Sequence, residues 1–304
     1  MIKNTRRLFM TVRSNTQDVE LNALKIAKMS DSCKKTNNLF FLHGILGKGQ
    51  NWKSFALNSV LSDNRDMYLV DLRNHGESDH HDSMTYDEMA NDLLRYADVR
   101  NIEKLTLLGH NIGAKTAMTL SCRYPDRVAA VISLDTAPLS NSGNSQAIKA
   151  TKEHFETIKN LKVEGKTRKV AIETIQKTFT DIGIANFVAS NLVYDEKSDN
   201  KTVKWCVNLD AIINNFQNIT GFNDDLDLQP YKGPSMFING SFSVKKLQEQ
   251  GTFPPTESLQ NVYKPLFPDC TAVIIEDAGH FVHTDKPLQV CTLIKDFLDT
   301  IDEN

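Results

Sequence analysis

Three short stretches carry side chains that could do chemistry together. Gly109-His110-Asn111-Ile112-Gly113 closes an apolar run and opens a helix of small residues. This is the pattern of a G-x-S-x-G turn, whose central serine attacks a carbonyl, but here the central residue is Asn111. Asp277-Ala278-Gly279-His280 puts a histidine, the usual general base, directly after a glycine. Leu134-Asp135-Thr136-Ala137-Pro138 puts a carboxylate at the end of another apolar run, where it can orient an imidazole and stabilise its charged form. Asp135 could otherwise serve as a cap or turn residue before Pro138. His283, two positions past Phe281, reads as a loop or packing residue.

The backbone of such a turn tolerates asparagine, which accepts positive φ better than most residues. Its chemistry does not. A carboxamide nitrogen is delocalised and its oxygen attacks poorly, and deleting the serine of a hydrolase triad costs about 10⁶ in turnover. Three routes around this stay open. Asn111 could deamidate to a carboxylate nucleophile, although the branched Ile112 slows succinimide closure. His280 and Asp135 could activate water or an alcohol directly. Or asparagine stands in this copy for a serine in its relatives.

Short, continuously apolar runs at 38–42, 66–70, 104–108, 129–134, 235–238 and 272–275 read as strands buried on both faces. Helical patterns at 86–96, 113–124 and 287–301 lie between or after them, which predicts one parallel sheet covered on both sides. The strand ends are where ligands bind in such sheets. After the first comes His43-Gly44-Ile45-Leu46-Gly47, whose glycines permit a sharp turn with N–H groups facing a ligand. Ile45 and Ile112 are the expected oxyanion donors, with His43 and Gly44 beside the substrate. A plain glycine-rich turn is the alternative. Asp71-Leu72-Arg73-Asn74-His75-Gly76-Glu77-Ser78 reads as a loop held by its own polar groups. Residues 139–225 are polar, with helical patterns at 147–160 and 168–179 and no clear buried strand. They read as a lid over the strand ends or as a packing subdomain.

The bulk properties fit this picture. The chain has 304 residues, 40% hydrophobic and 24% charged, with a formal net charge of −3. That gives no whole-molecule pull toward nucleic acid, and no apolar run is long enough to span a bilayer. The five cysteines are dispersed without a CxxC pair, which fits neither a disulfide framework nor a zinc site. Lys3, Arg6, Arg7 and Arg13 precede the first acid, Asp18, so residues 1–17 read as a mitochondrial presequence or a basic tail, with one domain over 18–304.

LFFLHGILG, DLRNHGES, MTYDEMANDL, GHNIGAKTAM, ISLDTAP, KWCVNLDAI and EDAGHFVH occur in one order along the chain. Together they resemble the α/β-hydrolase subfamily that includes the yeast mitochondrial ethanol acetyltransferases and related mitochondrial hydrolases. The resemblance implies the α/β-hydrolase fold, a mostly parallel sheet with helices on both faces and a helical lid, with Asp135 as triad acid and His280 as base. It also implies that Trp205, Asn208 and Leu209 sit in a lid segment over the acyl pocket. The implied reaction is acyl transfer from acetyl-CoA to a small alcohol, with ester or thioester hydrolysis alongside. Acetyl-CoA would be a substrate, and neither cofactor nor metal is expected. The subfamily has serine where this chain has Asn111 and usually methionine at Ile112. A catalytically impaired protein that holds a ligand or partner in the hydrolase pocket is the competing expectation; a purely structural interaction protein has only the helical insertion in its favour.

Overall fold

The computed structural model describes residues 18–26, 38–58, 60–61, 65–140, 146–222, 227–250, 253 and 259–302. The basic leader, 1–17, lies outside the described residues. Numbered along the chain, the strands are β1 (Ala23–Ile26), β2 (Asn38–Leu42), β3 (Met67–Val70), β4 (Leu105–His110), β5 (Val128–Leu134), β6 (Leu192–Tyr194), β7 (Val203–Trp205), β8 (Ser235–Gly240) and β9 (Thr271–Ile275). Seven form one sheet in the order β1-β3-β2-β4-β5-β8-β9. Every pairing in it is parallel except β1 against β3.

The six apolar runs supply β2, β3, β4, β5, β8 and β9. Alternation along them feeds two cores. Phe40 and Leu42 pack on one side with Tyr68, Leu107 and Val131. Leu39 and Phe41 pack on the other with Leu108, Ile132 and Ile238. The first core is closed by the helices Tyr86–Val99 and Ile112–Arg123, through residues such as Met89, Leu93, Ala117 and Met118. The second is closed by Trp52, Phe55 and the C-terminal helix Pro287–Asp302, through Val290, Ile294 and Leu298. Thr85 caps the first helix and Glu88 reaches back to the Thr85 N–H, a reciprocal box that fixes where that helix starts.

Three elements depart from the sequence reading. β9, read as buried on both faces, is an edge strand of the sheet, with Thr271 and Ile274 exposed and Ile275 buried. β1 is a half-exposed antiparallel edge strand, ALKI, whose pattern lacks the apolar run that marks a doubly buried strand. The insertion between β5 and β8 holds helices Gln146–Asn160, Arg168–Thr178, Ile182–Ala189, Leu209–Asn214 and Phe216–Thr220, but also an antiparallel hairpin, β6 with β7. Its strands are three residues each, too short to show a period.

The insertion is tied to the sheet domain by buried polar contacts. Lys115, on the helix after the elbow, donates to Leu139 O at 3.0 Å and Gly221 O at 2.8 Å, joining both ends of the insertion. Asn208 caps the Leu209–Asn214 helix, and its backbone N–H and side chain both bond Asn74 in the DLRNHGES loop. That loop is held as its polar residues suggest. Asp71 accepts from Gly49 N–H at 2.6 Å and Glu77 N–H at 2.9 Å. Arg73 makes paired bonds to Asp92 at 2.6 and 2.9 Å, with both side chains buried.

Breaking that pair removes both bidentate bonds and leaves the buried Arg73 with only Glu88, at 3.3 Å, as a carboxylate partner. We expect Asp92→Ala to destabilise the protein by about 3–5 kcal/mol, read as a lower midpoint in urea unfolding. A change within about 0.5 kcal/mol, the range of ordinary surface substitutions, would contradict a structural role for the pair.

Candidate active site

The site is built on the turn between β4 and the following helix. Asn111 sits at φ 53°, ψ −121°, left-handed and strained, and the helix begins at the next residue. Two glycines make the turn possible. A Cβ on Gly109 would stand 2.5 Å from Ala114 N, and one on Gly113 would stand 2.3 Å from Leu42 O. The turn is pinned from the adjacent strand end, because the Asn111 N–H donates to Thr136 Oγ1 at 2.9 Å.

Asp135 follows β5 at φ 48°, and its N–H bonds Ile238 O at 2.7 Å. Its carboxylate is fully engaged: Oδ1 accepts from Gly240 N–H at 2.8 Å, and Oδ2 lies 2.9 Å from His280 Nδ1. With Nδ1 donating to Asp135, the His280 Nε2 is the acceptor nitrogen, the tautomer a general base needs. The His280 side chain is 44% exposed, so it stands at the edge of the cleft. Its backbone is held from below, since His110 Nε2 donates to His280 O at 2.9 Å with the rings 4.5 Å apart.

The HGILG loop faces the elbow. Gly44 is required for that approach, because a Cβ there would meet His110 Nδ1 at 2.9 Å and Asn111 Cβ at 3.0 Å. The Ile45 N–H donates to Asn111 Oδ1 at 3.2 Å. The Ile112 N–H, at the start of its helix, has no acceptor among the described residues. The two expected oxyanion donors therefore flank Asn111, and the first is occupied by the residue's own carbonyl oxygen.

Two cavities meet at this point. One, of about 380 Å³, is lined by the HGILG loop and by Phe155, Phe179, Ile184, Phe187 and Phe281. The other, of about 410 Å³, runs past Asp135, Thr136 and Lys115 toward Ser243 and Gln250. Asn111, Ile45 and His280 line both. Helices of the insertion supply walls to each, through Thr151 and Phe155.

The remaining expectations fall out unevenly. His43 lines the first cavity, but its ring nitrogens are engaged: Nδ1 donates to Gly44 O at 2.8 Å and Nε2 accepts from Leu72 N–H at 3.0 Å. It offers a substrate a ring face and no free polar atom. Trp205 corrects the reading that gave it a substrate contact. It is half-buried on β7, paired with Leu192 and packed on the main core, and it lines neither cavity. His283 packs on Trp52 with rings 4.5 Å apart. Thr136 and His110 position the elbow and the base and were not singled out in the sequence, although each adjoins a residue that was. Among the described residues no group of three His, Cys, Asp or Glu could hold a metal.

Burial holds the histidines behind the site neutral. It pushes His43 down to about 4 and His75 to about 3, helped for His75 by the neighbouring His43. It also takes His283 to about 4 and His110 well below its ordinary value. Two of these rings are acceptors for loops beside the site: His43 takes the Leu72 N–H, and His75 Nε2 takes the Leu46 N–H at 3.2 Å.

The sequence profile of the alpha/beta hydrolase fold matches residues 37–287. The chain is 31% identical to sn-1-specific diacylglycerol lipase ABHD11 of Xenopus laevis over 296 residues, covering 95% of this chain and 89% of that protein. It is 24% identical to Ethanol acetyltransferase 1 of Kluyveromyces marxianus, covering 85% and 73% of the two chains. Among solved structures it is similar to a marine microorganism esterase, with a TM-score of 0.76, 29% identity, and coverage of 92% of this chain and 99% of that one.

The histidines set a pH dependence. A group held neutral in the folded state contributes stability above its unfolded value and loses it as pH falls toward the folded one. We expect unfolding midpoints in urea to drop as pH is lowered from about 6.5 to about 4, with His43 alone worth on the order of 3 kcal/mol. The change should shrink in His75→Gln, which keeps a neutral amide there. An equal slope in that variant would exclude His75 as a source.

Proposed function

The chain belongs to the α/β-hydrolase family, and on that premise we propose that it recognises acyl esters or thioesters at an esterase- or lipase-type site. Acyl-enzyme turnover at this site is blocked at one residue. The observation that carries the reading is the Asn111 carbonyl oxygen, 3.2 Å from Ile45 N and beside the Asp135–His280 pair. A carbonyl already lies where an ester oxyanion would be held, and residue 111 brings no hydroxyl to attack. The two cavities meeting at Asn111 support a ligand divided between acyl and alcohol portions. The phenylalanine-lined one suits an acyl chain longer than acetyl.

Transfer of an acetyl group from acetyl-CoA to a small alcohol is the second reading, favoured by the similarity to Ethanol acetyltransferase 1. His280 Nε2 can take a proton from an alcohol as readily as from water. In both readings, attack on a bound carbonyl needs the carboxamide to leave the oxyanion position first. The basic, acid-poor leader supports assignment to mitochondria.

Asn111→Ser tests the proposal. With p-nitrophenyl butyrate we expect the serine variant to exceed the native protein by at least about 10³-fold, and Asn111→Ser/His280→Ala to return to background. Native turnover equal to that of the serine variant would overturn the block. Given acetyl-CoA and ethanol, ethyl acetate from the serine variant favours transfer; free CoA with no ester favours hydrolysis.

A further inference from the structure

We propose that Asn111 is a substrate of its own site, its carboxamide hydrolysed by the Asp135–His280 pair to leave aspartate at position 111. The inference rests on the same loop and dyad as the acyl-site reading, but needs no ligand.

The geometry of the side chain carries it. Asn111 Oδ1 accepts from Ile45 N–H at 3.2 Å, the contact an oxyanion hole makes with a carbonyl under attack. The Ile112 N–H beside it has no acceptor among the described residues and is available for the negative charge that develops there. No hydrogen bond holds the carboxamide nitrogen among the described residues, so nothing in the protein opposes its departure. The strained backbone at φ 53°, fixed by Gly109 and Gly113, and the bond from Ile45 N–H hold the carboxamide in the cavities that His280 also lines, so no diffusing substrate has to be captured. His280 lines the same two cavities as Asn111, with Nδ1 on Asp135 and Nε2 free to take a proton.

The step balances with water alone. His280 Nε2 removes a proton as the water oxygen bonds to Cγ, and Oδ1 becomes the oxyanion facing Ile45 N–H. The imidazolium, stabilised by Asp135, returns its proton to Nδ2. The Cγ–Nδ2 bond breaks, and the proton left on the new hydroxyl passes to the departing nitrogen, so ammonium leaves and a carboxylate remains. That product belongs to a class of side chain able to form ester intermediates. The uncatalysed competitor is attack by the Ile112 nitrogen on Cγ. It must pass a branched side chain and would yield isoaspartate as well as aspartate.

Purified protein incubated at neutral pH, digested at intervals and read by peptide mass spectrometry provides the test. The expected result is conversion of Asn111 to aspartate with negligible isoaspartate, and one heavy oxygen taken up in labelled water. Conversion should slow roughly 10²-fold in His280→Ala and in Asp135→Asn. The His280 side chain is 44% exposed, so its removal leaves the fold in place, and a thermal melt checks this for both variants. An intact Asn111 in the native protein, equal conversion in the dyad variants, or an isoaspartate-rich product would each overturn the proposal. Its failure is separable from that of the acyl-site reading. A protein that keeps Asn111 but gains esterase activity as Asn111→Ser loses only this inference. One that converts but gains nothing as Asn111→Ser loses only the other.

Discussion

The close approach of one helix to one strand end governs this structure. Gly113 lies so near Leu42 that a Cβ would sit 2.3 Å from the Leu42 carbonyl oxygen. Any larger residue would push the helix away from β2 and open the turn at Asn111. With glycine there, the helix starts one residue after the strand ends. Its first N–H groups point at the same place as the HGILG loop, which leaves β2. The positive φ of Asn111 follows from that geometry, and so does the meeting of two cavities on its side chain. The base and acid are registered to the same point through single contacts, Thr136 to the elbow, Gly240 to Asp135 and His110 to His280.

Charge is distributed with the same economy. Asp135 is the carboxylate that meets the base, and both its oxygens are engaged, one by a backbone N–H and one by the imidazole. Behind it, burial keeps His43 and His75 neutral, which lets each accept a backbone N–H from a loop beside the site. A protonated ring could not accept. The loops are therefore held by groups whose function as acceptors depends on their staying uncharged.

Much of this was legible in the sequence because the signals were strong and local. Six apolar runs announced six strands, five of them buried and the sixth, β9, an edge strand, and two glycines around Asn111 announced the elbow. Asp135 could be preferred over the β8 end because Asn239 and its neighbours offer no carboxylate. What was missed is weak or non-local. β1 is an edge strand with one half-exposed face. The β6–β7 hairpin is too short for a period, and its pairing turns Trp205 onto the core and away from the cavities. Thr136 and His110 act through contacts 25 and 170 residues distant, which spacing along the chain does not encode. The direction of the Asn111 carbonyl is a rotamer choice set by Ile45, a residue 66 positions away.

That rotamer changes what retention of the site means. An empty oxyanion hole leaves backbone donors waiting for a ligand, and a buried donor without an acceptor is costly. In this chain Asn111 supplies the acceptor for Ile45. The dyad is likewise satisfied within the protein, Asp135 by Gly240 and His280, His280 by Asp135. A carboxamide at this position offers no hydroxyl nucleophile, yet it satisfies Ile45 while the Ile112 N–H is left without an acceptor among the described residues. The acid, the base's Nδ1 and one oxyanion donor are thus held by one another without a ligand. Asn111 stabilises the site as a bound carbonyl would, except that this one is tethered to the chain.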